Sequence, residues 1–279
     1  MRYINKELPV FKDKGEAIVY RFLAEAYVGG CHYEGLDYAN FRKPEYRKEF
    51  ESLLREEQYN LCCYCMRNVS NNAITLEHII PRSCNEENYE YYRMNFKVLH
   101  DHVMLHNTFK TVPLKPQAEL THYPHSVAYV NLVVSCNGIS EENSKECCMC
   151  NGPRGNDKIV PLMLLPDCLE RVGYIKNGRM YSINEDKEVA DTITRLNLNY
   201  ERLVEIRKIW YLIGKHQCWG KLWKADSKIV RALIFCQLFE VESPSELPEK
   251  ISKYPNNNFY WELLLQYKWF YGYYILYGR

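Results

Sequence analysis

The chain has 279 residues, with 36 Lys and Arg against 35 Asp and Glu; a formal charge of +1 provides no whole-protein basic field to gather nucleic acid from a distance. That length suits one large domain or two modest ones, and it is enough to bury a real core. Twelve cysteines, several in tight clusters, and no secretion-like start at residues 1–6 favour thiolates held by metal in a reducing cytoplasm over a disulfide frame.

Residues 15–28 place Ile18, Phe22 and Ala26 one helical turn apart, which predicts an amphipathic helix ended by Gly29-Gly30. Phe50, Leu53 and Leu54 among charges predict a second helix over 45–58, so residues 1–60 form a helical support that delivers the chain to Cys62. Cys62-Cys63-Tyr64-Cys65 is a hook able to hold half of a tetrahedral zinc. Leu76-Glu77-His78-Ile79-Ile80-Pro81 follows on a short apolar segment. His78 alone would be an ordinary core histidine. An acid directly before it and cysteine pairs around it point to chemistry, because packing needs neither.

Residues 84–130 are long for a loop inside one domain and predict an inserted arm. The His102-x-x-x-His106 spacing within it would put two imidazoles on one helical face, a candidate second metal site. Tyr89, Tyr91, Tyr92 and Phe96 interleave with Arg93, Lys97, Lys110 and Lys115. That pattern fits phosphate pairing with base stacking, and equally a helix packed on the core. Asn131-Leu132-Val133-Val134-Ser135-Cys136 and Cys147-Cys148-Met149-Cys150-Asn151 then supply a second cysteine pair, Cys136 with Cys150 or, in competition, Cys147 with Cys150. Four thiolates would close a structural site and leave no open position.

From Ile159 the cysteine clusters stop, and 159–279 is expected to be a mainly helical domain. Asn177-Gly178 between apolar runs predicts a hairpin, and helical spacings over 190–211 break near Asn197-Leu198-Asn199. The aromatic tail, 259–277, should pack inward or against another chain. Glu262, Gln266 and Lys268 interrupt it, so it makes no membrane span.

Taken in order, Cys62/Cys65, Glu77-His78, Asn131-Leu132, and Cys136 with Cys150-Asn151 resemble the HNH nuclease family. Glu77-His78-Ile79-Ile80-Pro81-Arg82-Ser83, Asn131 to Gly138, Cys150 to Asn156, Pro166-Asp167-Cys168 and Leu196-Asn197-Leu198-Asn199 look like the HNH subunit of the Septu anti-phage system, also found in some retron systems. The resemblance implies an α+β, mostly helical fold. A zinc-stabilised ββα-metal core over 61–158 would carry the arm, between N-terminal helices and a C-terminal helical region. It implies structural Zn2+ on Cys62, Cys65, Cys136 and Cys150, with His78 as general base and Glu77 as ligand of a catalytic Mg2+ or Mn2+. Asn131 would orient the base through a hydrogen bond, and Asn151, or Asn156 as fallback, would complete the metal site. It further implies DNA or tRNA as substrate and an ABC-type ATPase subunit as partner. In a retron setting a reverse transcriptase and its RNA–DNA product would join them. Arg154, in a Pro153-Arg154 pair where the family usually has lysines, would be placed to meet a phosphate. The residues leave open a second reading, a zinc-stabilised nucleic-acid-binding or partner-binding adaptor without turnover. A thiol–disulfide role is disfavoured, since no thioredoxin-like alternation of strand and helix surrounds either pair.

Overall fold

Pro9 and Pro44 each sit at the first turn of a long helix, where a missing N–H costs nothing. Helix α1 spans Pro9–Ala26, earlier in its start than the apolar periodicity alone indicates. A short antiparallel pair, β1 (Tyr27–Val28) and β2 (His32–Tyr33), and one turn of helix, α2 (Tyr38–Phe41), lead into α3 (Pro44–Glu57). The computed structural model describes residues 1–71, 73–139, 146–225, 228–246 and 258–277; the acidic loop at 140–145 lies outside them. Helices α1 and α3 pack through an aromatic cluster in which Phe22 meets Phe41 and Tyr46 at 5.3 and 5.4 Å between centroids. Gly15 lets α1 approach closely, since a Cβ there would lie 2.2 Å from the Tyr129 ring.

Strand β3 (Ile74–His78) is followed by the arm, which is built of short pieces. These are α4 (Glu86–Asn95), α5 (Lys97–His102), β4 (Val103–Met104), α6 (His106–Phe109) and β5 (Tyr123–Pro124), with β4 and β5 paired in parallel. Asn85 caps α4 by accepting from the Asn88 N–H at 2.9 Å. Tyr89 and Tyr92 on α4 are buried, so that face packs on the core. The candidate His102/His106 metal pair does not form. Val103 and Met104 turn extended to join β5, which ends the helix at His102 and separates the two imidazoles. His102 meets Glu7 and Lys12, while His106 Nδ1 meets the Ser126 hydroxyl at 3.0 Å.

Strand β6 (Leu132–Cys136) pairs antiparallel with β3, placing His78 opposite Leu132, Glu77 opposite Val133 and Ile74 opposite Cys136. All five β6 residues are buried. Gln58, at the end of α3, pairs its side-chain amide with both the N–H and the C=O of Val134, at 2.7 and 2.8 Å. The Cys63 N–H donates to the same carbonyl at 3.0 Å, so the first cysteine pair arrives beside β6.

After α7 (Asn151–Arg154) and α8 (Cys168–Arg171), strands β7 (Val172–Tyr174) and β8 (Met180–Ser182) form the hairpin expected at Asn177-Gly178. Gly178 takes φ +89°, and a Cβ would lie 2.0 Å from the Val204 carbonyl. Helices α9 (Lys187–Arg195) and α10 (Glu201–Lys215) separate at the expected break. Then come α11 (Trp219–Trp223), α12 (Lys228–Phe239), α13 (Asn258–Gln266) and α14 (Trp269–Tyr277). Helix α14 lies on α10 and buries Phe270 and Tyr274. Its outer residues Leu276 and Tyr277 stay exposed and line an apolar groove of about 1050 Å³ with Tyr3 and Leu61.

The fold is α+β and mainly helical, with two-stranded sheets. One apolar core runs from Met1 to Tyr274, and the C-terminal helices close on the cysteine hook: the Asn68 N–H donates to Gln266 O at 2.7 Å, and Arg67 Nε donates to Gln266 Oε1 at 2.6 Å. Among the described residues no helix is long and apolar enough to cross a membrane.

Candidate metal centre and catalytic cavity

Cys62, Cys65, Cys136 and Cys150 are buried, and their sulfur atoms all lie within 4.8 Å of one another. Three of the separations are 3.9 Å (Cys62 to Cys150), 3.6 Å (Cys65 to Cys136) and 3.7 Å (Cys136 to Cys150). A zinc tetrahedron with Zn–S of about 2.3 Å has edges of about 3.8 Å, so the four thiols are spaced to hold one structural zinc. A disulfide would need about 2.05 Å. Burial pushes the Cys150 thiol well up, and four thiolates in this dry site require a cation among them. Cys147 stays out of the set, exposed and directed to the Met149 carbonyl, which decides the second pair for Cys136 with Cys150.

Local backbone makes the cluster. The turn at 62–66 closes through Met66 N–H to Cys62 O, with Met66 at positive φ. Cys150 adopts φ 64° and ψ −127°, a strained setting held where its N–H donates to Leu196 O at 2.8 Å and Asn197 Nδ2 donates to Cys148 O at 2.7 Å. The break between α9 and α10 is therefore the anchor of the second cysteine segment.

Beside this centre a cavity of about 350 Å³ is lined by Glu77, His78, Asn151 and Asn156, together with Tyr38, Arg42, Arg47 and Arg82. His78 Nε2 lies 2.9 Å from the Ser126 carbonyl. A carbonyl only accepts, so Nε2 carries the proton and Nδ1 keeps its lone pair. Burial lowers the His78 pKa to about 3, opposed by the bond to Ser126, and the ring is neutral. Tyr38 stands edge-on to it at 4.5 Å.

Glu77 is buried and ion-paired with the Nη1 of Arg154. Burial pushes its carboxyl up to about 7 against the opposing pull of Arg154. Arg154 was expected at a phosphate; its side chain is instead fully enclosed. Its Nη1 also donates to His78 O at 2.8 Å and to the Tyr64 hydroxyl at 3.2 Å, and its Nη2 donates to Ile79 O at 2.6 Å. The guanidinium holds the end of β3 and the acid upon it. The signal for this in the sequence is that a buried Glu77 needs a counter-charge, and Arg154 is the cation three residues beyond Asn151.

Asn131 also differs from expectation. Its Oδ1 accepts from the Ile80 N–H at 2.7 Å, and its Nδ2 donates to Ile80 O at 3.1 Å and His125 O at 2.7 Å. It clamps the backbone just after His78 and ties it to the arm, with no hydrogen bond to the imidazole among the described residues. The tautomer-setting contact comes from Ser126 in the arm, and Tyr38 and Arg42 come from α2 and its C-terminal edge. No motif marks these three.

A scan of protein-family models finds none that matches this chain, and a search of curated proteins finds no match.

Proposed function

We propose that this chain is a metal-dependent endonuclease of the HNH kind that hydrolyses phosphodiester bonds of nucleic acid, DNA in the first place and tRNA in the second. In this reading it is the effector of an anti-phage system and works with an ABC-type ATPase subunit. The observation that carries the reading is the neutral His78, with Nδ1 as its basic atom, next to Glu77 and in one cavity with Asn151.

Glu77 and Asn151 would hold a divalent cation, Mg2+ or Mn2+. Hard oxygen donors suit such an ion, and Glu77 and Asn151 line the same cavity. Bound there, the ion would draw negative charge from a phosphate and its leaving oxygen. His78 Nδ1 takes the proton of a water as that water bonds to phosphorus, and the bond from phosphorus to the sugar oxygen breaks. The Ser126 carbonyl steadies the imidazolium that forms. Arg154 fixes Glu77, and Asn131 fixes the turn after the base, so neither group moves during the step.

The Glu77–Arg154 pair favours one other reading, because a guanidinium already balances the acid without a metal: a zinc-stabilised adaptor that binds without turnover. Cleavage of supercoiled plasmid and of tRNA in Mg2+ and in Mn2+ separates the two. The nuclease reading expects cutting by the wild-type chain and none by His78→Ala, with circular dichroism and zinc content unchanged. Equal cutting by the variant removes His78 as base, and no cutting by wild type in either ion, alone or together with the ATPase subunit, leaves the adaptor.

A further inference from the structure

The N-terminal helices were expected to be support alone, yet they place charged groups at the cavity mouth. Arg42 at the end of α2 and Arg82 after β3 both stand over the Tyr38 ring, their guanidinium carbons 6.0 and 5.1 Å from its centroid. The same ring touches His78 at 4.5 Å. Both arginines are exposed and line the cavity, and among the described residues neither has a carboxylate partner, whereas Arg47 beside them is taken by Glu51 at 2.5 Å. Glu77 is the one acid in the lining, and Arg154 already balances it. Two unpaired guanidinium groups thus flank the base, held at a fixed spacing by one buried ring.

We propose that Arg42 and Arg82, with Tyr38 as their shared platform, form a clamp for the phosphodiester backbone of a nucleic-acid strand, gripping the phosphates on either side of the one presented to His78. The proposal rests on the nuclease reading for which phosphate lies at His78; the grip itself requires no turnover. The two guanidinium carbons lie at most about 11 Å apart through the ring centroid, and the phosphates on either side of a central one are two nucleotide steps, about 7 Å of rise, apart, so both fall within that span. Arginine suits this role, since its planar fork meets two phosphate oxygens at once and does not lose its charge. The substrate class that follows is a strand several nucleotides long. A mononucleotide could engage only one side of the clamp. Arg42 and Arg82 are positioning residues here; the reacting atoms are left to His78.

The test is binding of a fluorescein-labelled oligonucleotide of about 20 nucleotides, single-stranded and duplex, by the full chain without added Mg2+ or Mn2+, read by fluorescence anisotropy across a salt series. A gel checks that the oligonucleotide stays intact. Arg42→Gln and Arg82→Gln are each expected to flatten the slope of log K against log salt by about 0.7–0.9, and the double variant by about twice that. Arg179→Gln, on the exposed hairpin turn, is expected to leave the slope unchanged. Wild-type slopes in both clamp variants, or no binding by the wild-type chain, overturn the clamp. Equal displacement by polyglutamate at matched charge also overturns it, in favour of an acidic protein surface. A lost slope in a chain that never cuts would keep the clamp and retire the nuclease. Normal cutting with unchanged slopes does the reverse.

Discussion

Replacing Arg154 with Met keeps the bulk of the side chain and removes its donors, and the structure fixes what that does. Arg154 is fully enclosed and donates to the Glu77 carboxylate, the carbonyls of His78 and Ile79, the hydroxyls of Tyr64 and Tyr92, and the Asp157 carbonyl. Stripping the cation from a buried pair costs about 3–5 kcal/mol, because the carboxylate left behind has lost both water and partner. The two carbonyls of β3 add to this, since a buried acceptor left unmet costs about 1–3 kcal/mol. Glu77, its carboxyl already pushed up to about 7, relieves part of this by taking up a proton, which holds the total to about 4–5 kcal/mol. That is much of the ~5–15 kcal/mol that keeps a domain folded. Urea unfolding followed by far-ultraviolet circular dichroism reads it, and Glu77→Gln/Arg154→Met should recover at least about 1 kcal/mol relative to the sum of the single changes, since a neutral amide needs no cation. A loss below about 0.5 kcal/mol for Arg154→Met, the size expected at an exposed arginine, would refute the enclosed guanidinium and return Arg154 to the phosphates.

Cys136→Ser and Cys150→Ser should each release the zinc, whereas Cys147→Ser should retain about one equivalent per chain; metal analysis after desalting distinguishes them. Asn131→Leu removes three buried hydrogen bonds and should destabilise by about 2–4 kcal/mol in urea, with cleavage lost as the turn after His78 loosens. His125 accepts from the His106 N–H at Nδ1 and donates to Arg82 O from Nε2, so it is neutral in the fold, and burial lowers its pKa. The unfolded chain then binds the extra proton first, so stability is complete above about pH 6.5 and falls as pH drops below it, by up to ~1.4 kcal/mol per pH unit for this one group. His125→Gln offers an acceptor and a donor that do not titrate, and its thermal midpoint should fall less between pH 6.5 and 5 than that of the wild-type chain; identical pH profiles would contradict the assignment.

Much of the metal centre was legible because ligand spacing is local chemistry: Cys62 and Cys65 sit in one turn, and Cys136, five residues after Asn131, ends the strand that begins at Leu132. The choice between Cys136 and Cys147 needed the tertiary fold, which carries Cys136 on β6 to the hook and turns the Cys147 thiol to the Met149 carbonyl, outside the cluster. Helices α1 and α3 and the hairpin at Gly178 followed from apolar period and turn chemistry. In the arm, the candidate His102/His106 pair depends on a helix that continues, and β-branched Val103 leaves it to pair with Tyr123. Arg154 was placed outside since a sequence does not say which way a cation points; burial of Glu77 settles it. Tyr38 and Arg42 carry no motif at all. Their nearness to His78 is a tertiary contact across the aromatic packing of α1, α2 and α3.

The most direct test of the central claim is anomalous diffraction at the zinc and manganese edges, from crystals of the His78→Ala chain grown with Mn2+ and a short oligonucleotide. The account predicts a zinc peak enclosed by Cys62, Cys65, Cys136 and Cys150, and a manganese peak between Glu77 and Asn151 against a phosphate of the strand. A manganese peak absent from Glu77, with the strand bound elsewhere on the surface, would contradict it.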